Sequence, residues 1–337
     1  RLLLSWMNTP DNILSMADAY IKVIFAGIIL TMSYNVLSGI IRGIGDSKTP
    51  LYFLILSSVL NIILDIVLIV IIPLGTAGAA YATIIAQGVS AVLCFFYMFR
   101  KFEILRTLRE DYYFDSRGVK NMLTLGIPMA LNYSITAVGT MILQSAVNVF
   151  GSSVVAAFTA ASKVNNIATQ TMPTLGTAMA TYCGQNLGAG KYDRIFKGMK
   201  QGFFLCIAAA LIAAFLCIFC GEFIVSWFVS NPSAEIFTYA MQYLTTVSWF
   251  FLPLAMIFQY RNALQGLNEG LVPMLSGIVE LACRFAVIAF VPKEAGFLGV
   301  CFADPAAWVG AAIPLFITYL IWKKKKKAVH EKNYSCA

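Results

Sequence analysis

The sequence predicts an all-α, polytopic membrane protein, and three observations carry that reading. Of its 337 residues, 59% are hydrophobic and only 12% are charged, where soluble domains carry about 25% charged residues. The apolar residues fall in runs of about 20 or more, the length at which a helix crosses a hydrocarbon core. None of these runs alternates polar with apolar residues, so they read as helices rather than as barrel strands.

Nine runs have spanning length, near 22–41, 50–72, 76–99, 122–149, 153–183, 202–221, 240–264, 271–291 and 297–322. The first closes in GIIRGIGDSKTP (39–50). Its glycines and charged residues end one helix, and Pro50 restarts the next. The second holds two polar residues one turn apart, Asn61 and Asp65, and the third holds Thr83. A basic linker follows, and then the fourth run places Asn132, Thr136, Thr140, Gln144 and Asn148 four residues apart. The fifth sets Ser162, Asn166, Thr169 or Gln170, Thr177 and Thr181 on one face and also carries Lys163. Stripes this polar are costly against lipid, so they face other helices or water; helix–helix contact and a substrate cavity fit equally well. The sixth run follows a basic segment and contains Cys217 and Cys220, a C-x-x-C pair with no second Cys or His pair, which reads as small buried hydrophobes. The eighth carries Glu280 and Arg284, four apart on one helix, and the ninth ends in Lys323–Lys327. Pro128, Pro173 and Pro253 lie within runs and permit kinks.

The basic residues follow topology. The 42–48, 100–120, 191–200 and 261–269 loops and the C-terminal tail together hold 19 of the 24 Lys and Arg. The positive-inside rule puts that side, with the C-terminus, in the cytoplasm. The net charge of +8 therefore points to no nucleic-acid partner. For Lys323–Lys327, anchoring is favoured over lipid sensing. The lone histidine, His330, lies in the tail. No metal-ligand set and no nucleophile–base constellation is present, so neither a metal, a cofactor nor enzyme activity is expected. GQNLGAGK (184–191) departs from a phosphate-binding loop: the spacing of its glycines is wrong, Tyr192 stands where Ser or Thr is needed, and no strand precedes it.

The chain repeats itself. GIGDSKTP (43–50) lies over GLNEGLVP (266–273) at an offset of 223, matching Gly43 with Gly266, Asp46 with Glu269 and Pro50 with Pro273. The same offset sets Ala17 on Ala240, Tyr20 on Tyr243 and Asn61 on Arg284, and a slip of one residue sets Pro10 on Pro232. The second copy is preceded by three spans whose first-copy partners would lie before residue 1. The expected whole is twelve helices in two six-helix lobes, both repeats running in the same sense. On that reading 1–99 is a partial N-terminal lobe, 100–121 a cytoplasmic linker, 122–322 the C-terminal lobe and 323–337 a basic tail. LLLSWM at the start reads as the end of a missing third helix rather than a signal peptide.

RGIGDSKTP followed by NIILD (61–65), LGIPMALNY (125–133), TLGTAMATYCGQNLGAGKYDR (174–194) and GxxxxxPAAWVGA (299–311) resemble the multidrug and toxic compound extrusion (MATE) family. The most specific part is Q-N-x-G-A-G-K-x-x-R. The resemblance implies a secondary exporter in the cell membrane. It would exchange cationic or amphipathic small molecules for H+ or Na+ by rocking two lobes, as a monomer and without a cofactor. It also implies that Asn61, Asp65 and Thr83 belong to a polar cation pocket of the N-terminal lobe, with Tyr20 and Asn35 fitting less securely. That pocket also needs an aspartate on the first family helix, in the missing segment. An aspartate inside a span is a functional hypothesis in its own right, because a carboxylate in low dielectric can hold a proton and a cation in alternation; a structural hydrogen bond between helices is the plainer account. In the second lobe Lys163, Glu280 and Arg284 are expected to form a charge network, either structural or coupling. Asn132, Thr136, Gln144, Asn166, Gln170 and Thr177 are the expected cavity lining. Some branches carry an acid eight residues after the proline of the seventh family helix. Pro128 leads here to Thr136, so that site is absent and the ion stays open. A lipid-linked or oligosaccharide flippase of the same superfamily is the alternative, against which two intramembrane cations are few. An inactive fragment is a further one. A membrane receptor or enzyme fits neither the repeat nor the absence of catalytic groups.

Overall fold

The computed structural model describes residues 11–106, 113–229, 233–291 and 293–335. The LLLSWM stub and the Pro10–Pro232 match lie outside these residues, as do the side chains of Lys293 and His330. All long elements among the described residues are helices, as expected for chain that must satisfy its backbone inside a bilayer. The chain divides into two compact units, Arg1–Phe114 and Asp115–Ala337.

The first unit holds α1 (Asp11–Ala26), α2 (Ile28–Gly43), α3 (Lys48–Asp65) and α4 (Gly75–Lys101). Helix α3 continues past Asp65 as a wider π-wound stretch, Ile66–Ile71. Helix α4 packs on α1, α2 and α3. A small core of Tyr34, Ile41, Ala91, Cys94 and Met98 joins α2 to α4. Asp46 sets the start of α3: its Oδ1 accepts the N–H groups of Lys48 at 3.2 Å and Thr49 at 3.1 Å, which fulfils two of the donors that open a helix.

The second unit holds α5 (Ser116–Asn148), α6 (Ser152–Thr169), α7 (Thr171–Gly188), α8 (Tyr192–Phe219), α9 (Gly221–Ser226), α10 (Ala234–Ser248), α11 (Phe251–Gly266), α12 (Leu271–Phe290), α13 (Gly296–Cys301) and α14 (Ala303–Ser335). Helix α12 lies between α5 and α14, and α11 packs on α7, α8 and α14. One continuous apolar core runs from Leu143 to Trp322.

Six helices among the described residues are long and apolar enough to cross a membrane, or eight if each of two bent pairs is one span. With each bent pair taken as one span, eight of the nine expected spans are present and the 153–183 run is not. The 22–41 and 240–264 runs are bent pairs, 14–26 with 28–43 at 46° and 234–248 with 251–266 at 54°. The 153–183 run is two helices that part at Gln170, and neither is among the membrane-length apolar helices. Lys163, Asn165 and Asn166 make α6 polar, and four threonines with Gln185 and Asn186 do the same for α7. At the first bend Gly27 is required by space, since a Cβ there would stand 2.3 Å from Ile84 Cδ1.

The offset of 223 recurs in the helix boundaries. It carries α2, Ile28–Gly43, onto α11, Phe251–Gly266, and carries the start of α3, Lys48, onto the start of α12, Leu271. It also carries Gly45, at φ 107°, onto Asn268, at φ 65°. Glycine and asparagine are the residues that accept such left-handed backbone most readily. In the last helices the register slips by two, so Gly75 (φ 57°) corresponds to Gly296 (φ 56°).

Candidate functional site

In the first unit, Asn61 and Asp65 lie one turn apart at the end of α3, both half-buried. Asn61 Nδ2 and Asp65 Oδ1 are buried and have no hydrogen-bond partner among the described residues. Gln87 Oε1 on the facing helix α4 is in the same condition. Buried polar atoms are seldom left without partners; in the second unit Asn165 Oδ1, Gln259 Oε1, Arg261 Nε and Arg284 Nη1 share this condition. Asp65 is also the last residue before the π-wound stretch, and such stretches concentrate at functional positions. Thr83, half-buried on α4, donates its hydroxyl to Ala79 O at 3.0 Å. Tyr20 and Asn35 are exposed on this unit, and Asn35 donates to Thr31 O at 3.0 Å.

The second unit contains a partly open cavity of about 580 Å³. Its polar wall comes from Thr136, Thr140 and Gln144 on α5 and from Ser162, Asn165 and Asn166 on α6. Phe158, Leu254, Ile257 and Trp308 supply apolar surface. At its side runs a chain of charges. Arg261 Nη2 donates to Glu280 Oε1 and reaches Ser276 Oγ at 3.3 Å. Glu280 Oε2 lies 4.0 Å from Arg284 Nη1. Arg284 Nε donates to Asp304 Oδ1 at 3.0 Å, and Tyr243 O–H donates to Asp304 Oδ2 at 2.9 Å. Two acids thus balance two arginines, which is the condition for burying them together. Gly139 makes room for Arg284, since a Cβ at that position would stand 2.6 Å from Nη1.

The expected network is corrected in its membership. Glu280 and Arg284 are in it, but Lys163 is not: its side chain is exposed and its Nζ stands 5.3 Å over the Phe228 ring. The second cation is Arg261, read from the sequence as part of a cytoplasmic loop. It lies instead within α11, with its side chain only 12% exposed. Asp304 and Tyr243 complete the chain and were not singled out. The repeat held the signal for both. The 223 offset places Tyr243 at the position of Tyr20 and Arg284 at that of Asn61, and the slipped register places Asp304 at the position of Thr83.

Of the expected cavity residues, Thr136, Gln144 and Asn166 line the cavity. The other three do not. Asn132 is buried in the seam with α12, donating to Pro273 O at 2.7 Å. Gln170 is exposed at the break between α6 and α7, and Thr177 is exposed on α7, donating to Pro173 O at 3.0 Å. Cys217 is fully buried in the apolar core, and Cys220 is half-buried at the end of α8.

Long apolar helices, two of the spans bent, with buried unpartnered polar atoms in both units and a polar cavity in the second, define a multi-pass membrane protein with polar groups inside its helix bundles. The family model MatE matches residues 1–67 and 128–290. The chain is 30% identical over 329 residues to the "Probable multidrug resistance protein YpnP" of Bacillus subtilis, covering 97% of this chain and 73% of that protein. To the "Probable multidrug resistance protein NorM" of Thermotoga maritima it is 24% identical over 335 residues, covering 96% and 70%. Its fold matches the solved outward-facing conformation of a multidrug resistance MATE family transporter of the MOP superfamily, with TM-score 0.87, 22% identity and coverage of 96% and 72%. It also matches a MOP superfamily transporter of Pyrococcus furiosus described by the reverse polarity of its binding pocket, with TM-score 0.89, 21% identity and coverage of 96% and 73%. The chain belongs to the MatE family of multidrug efflux transporters.

Proposed function

We propose that the protein exports organic cations across the cell membrane in exchange for H+ or Na+, with Asp65 as the carboxylate that both cargoes compete for. The observation that carries this is the buried, unpartnered Asp65 Oδ1 beside the unpartnered Asn61 Nδ2. A carboxylate with free acceptor capacity inside an apolar helix is stabilised by a proton or by a cation, and gives up one when the other arrives. Thr83 supplies a further oxygen from α4, and the family resemblance assigns Tyr20 and Asn35 to the same pocket. The two units act as counterpart lobes whose alternating exposure moves cargo across the bilayer. Within the second unit, the cavity whose polar wall is formed by α5 and α6 is a place for substrate in its own right, its amides and hydroxyls serving cargo of varied shape.

The second unit answers the same positions with different chemistry. Where the first has Asn61 and one unpaired acid, the second has Arg284 held between Glu280 and Asp304. Arg284 is in effect a tethered cation, so the exchangeable ion belongs to the first unit alone. The cavity's balanced charge also favours export of cations over a flippase for anionic lipid carriers, which needs an excess of positive charge.

The protein reconstituted in vesicles and loaded with a cationic dye tests this. A gradient of H+ or of Na+ should drive dye movement, collapse of that gradient should stop it, and Asp65→Asn should reduce it to background. Unchanged, gradient-dependent transport by Asp65→Asn removes Asp65 from the mechanism; absence of transport under either gradient sinks the exporter reading.

A further inference from the structure

At one end of the second unit, helices α8, α11 and α14 leave a groove of about 450 Å³ between them. Its mouth carries Lys197, Lys200 and Lys323, and its floor is formed by Phe203, Tyr260 and Phe316. The position relative to a bilayer follows from the sequence. Lys200 stands just before the apolar run of α8 and Lys323 just after that of α14, so the groove crosses the level where water gives way to hydrocarbon. The floor is rigid: the Tyr260 ring packs 5.3 Å from both Phe316 and Tyr319, and Tyr319 stacks on Trp322 at 6.4 Å. Lys323 is held by the Phe196 ring at 5.7 Å, a cation–π contact that fixes its ammonium near the mouth.

Charge and shape together select the occupant. Residues 191–200 and 323–327 carry nine Lys and Arg against a single acid, Asp193, so the mouth is strongly positive in contrast to the balanced cavity. A soluble anion would leave the aromatic floor uncovered, and a neutral lipid would leave the lysines without a counter-charge. Basic pockets between helices at a membrane face are suited to lipid headgroups. We infer that this groove binds an anionic diacyl phospholipid. Its phosphate lies among Lys197, Lys200 and Lys323, and an acyl chain runs down against Phe203, Tyr260 and Phe316 beside Leu320. The bound lipid ties α8 and α14 to α11, the helix that carries Arg261. The inference stands apart from the identity of the exported substrate and of the coupling ion.

The test uses the purified protein in a neutral detergent, titrated separately with phosphatidylglycerol, phosphatidylcholine and inorganic phosphate while its thermal midpoint is followed. Phosphatidylglycerol should raise the midpoint saturably, and the other two should not. The triple variant Lys197→Gln, Lys200→Gln, Lys323→Gln should weaken that response about ten-fold or more. A control with the same loss of charge outside the groove, Lys191→Gln, Lys324→Gln, Lys325→Gln, should change it less than about two-fold. Leu320→Gln, which keeps every lysine, should weaken it about three-fold through the acyl contact. An equal response to phosphatidylcholine, an equal response to inorganic phosphate, or equal losses in the two triple variants would each overturn the assignment, as would an unchanged response in the lining variant.

Discussion

At the scale of single residues, the polar groups of this protein divide into those with settled partners and those without. Asp46 is settled. Besides the two backbone N–H groups of α3, it accepts the Tyr97 hydroxyl at 2.6 Å and the Thr49 hydroxyl at 2.8 Å, with the Lys101 ammonium at 3.6 Å. The Tyr97 hydroxyl foremost, and the Thr49 donors after it, hold its carboxyl well below the usual carboxylate range, against the opposing effect of burial. A depressed pKa in the folded state means stabilisation that is complete above the unfolded value, about 4, and is lost as pH falls toward the folded one. Asp46→Asn should therefore lower the thermal midpoint at pH 7 and flatten its decline below about pH 4; a parallel decline in both proteins would refute the assignment. Arg284 is settled in part, as the middle of a buried chain: its Nε bonds Asp304, while its buried Nη1 makes no hydrogen bond and stands 4.0 Å from Glu280 Oε2. Arg284→Met strands Asp304 and should cost about 3–5 kcal/mol, with Asp304→Asn in the same chain recovering part of it. Additive losses in the double variant would show that the two do not interact. The sequence made Asp65 and Arg284 visible because charge in an apolar run is rare. It hid Arg261, which stands at the end of such a run and reads as loop until α11 is seen to carry it inward.

At the scale of elements, close backbone approach decides what packs on what. Gly266 ends α11 where a Cβ would stand 2.3 Å from the Ala180 carbonyl oxygen of α7. Backbone cannot yield as a side chain can, so Gly266→Ala should cost about 1–3 kcal/mol through forced separation of the two helices. Gly39, inside α2, has nothing within 4 Å of the corresponding Cβ. Gly39→Ala should instead stabilise α2 by about 0.5–1 kcal/mol. Thermal melts of the two variants in one detergent read both signs; a destabilised Gly39→Ala or a neutral Gly266→Ala would contradict the packing. Helix identity was legible from run length alone, whereas helix breaks were not. Gly27 stands at the bend with Ile84 filling the place of its missing side chain, and that contact spans 57 residues of sequence. The polar stripe on α5 was also legible as a stripe, yet its members separate: Asn132 faces α12 while Thr136 and Gln144 face the cavity.

At the scale of the whole molecule, the distribution of Lys and Arg argues for a cytoplasmic C-terminus. A fluorescent reporter that folds only in the cytoplasm, fused after Ala337, should fluoresce; an extracytoplasmic reporter at the same place should stay inactive. The opposite pair of results would invert the topology. The two units should also differ under transport conditions. At constant pH, saturating Na+ should protect Cys introduced near Asp65 from alkylation and leave Cys introduced near Arg284 unaffected, since Arg284 already carries the positive charge there. Equal protection in both units would remove the tethered-cation account.

By itself the sequence determined the solvent, the class and the symmetry. Long apolar runs admit only membrane helices, because lipid offers the backbone no partner. The offset of 223 declared the duplication, because both copies need the same helix ends and the same left-handed turn. Only the tertiary structure decided which charges meet. Arg261, Glu280, Arg284, Asp304 and Tyr243 come from four helices, and whether two charges pair depends on a few ångströms of approach and on exclusion of water. Spacing along the chain does not encode either. For the same reason the three lysines of the lipid groove, 126 residues apart at their widest between Lys197 and Lys323, become one site only where α8 and α14 pack together.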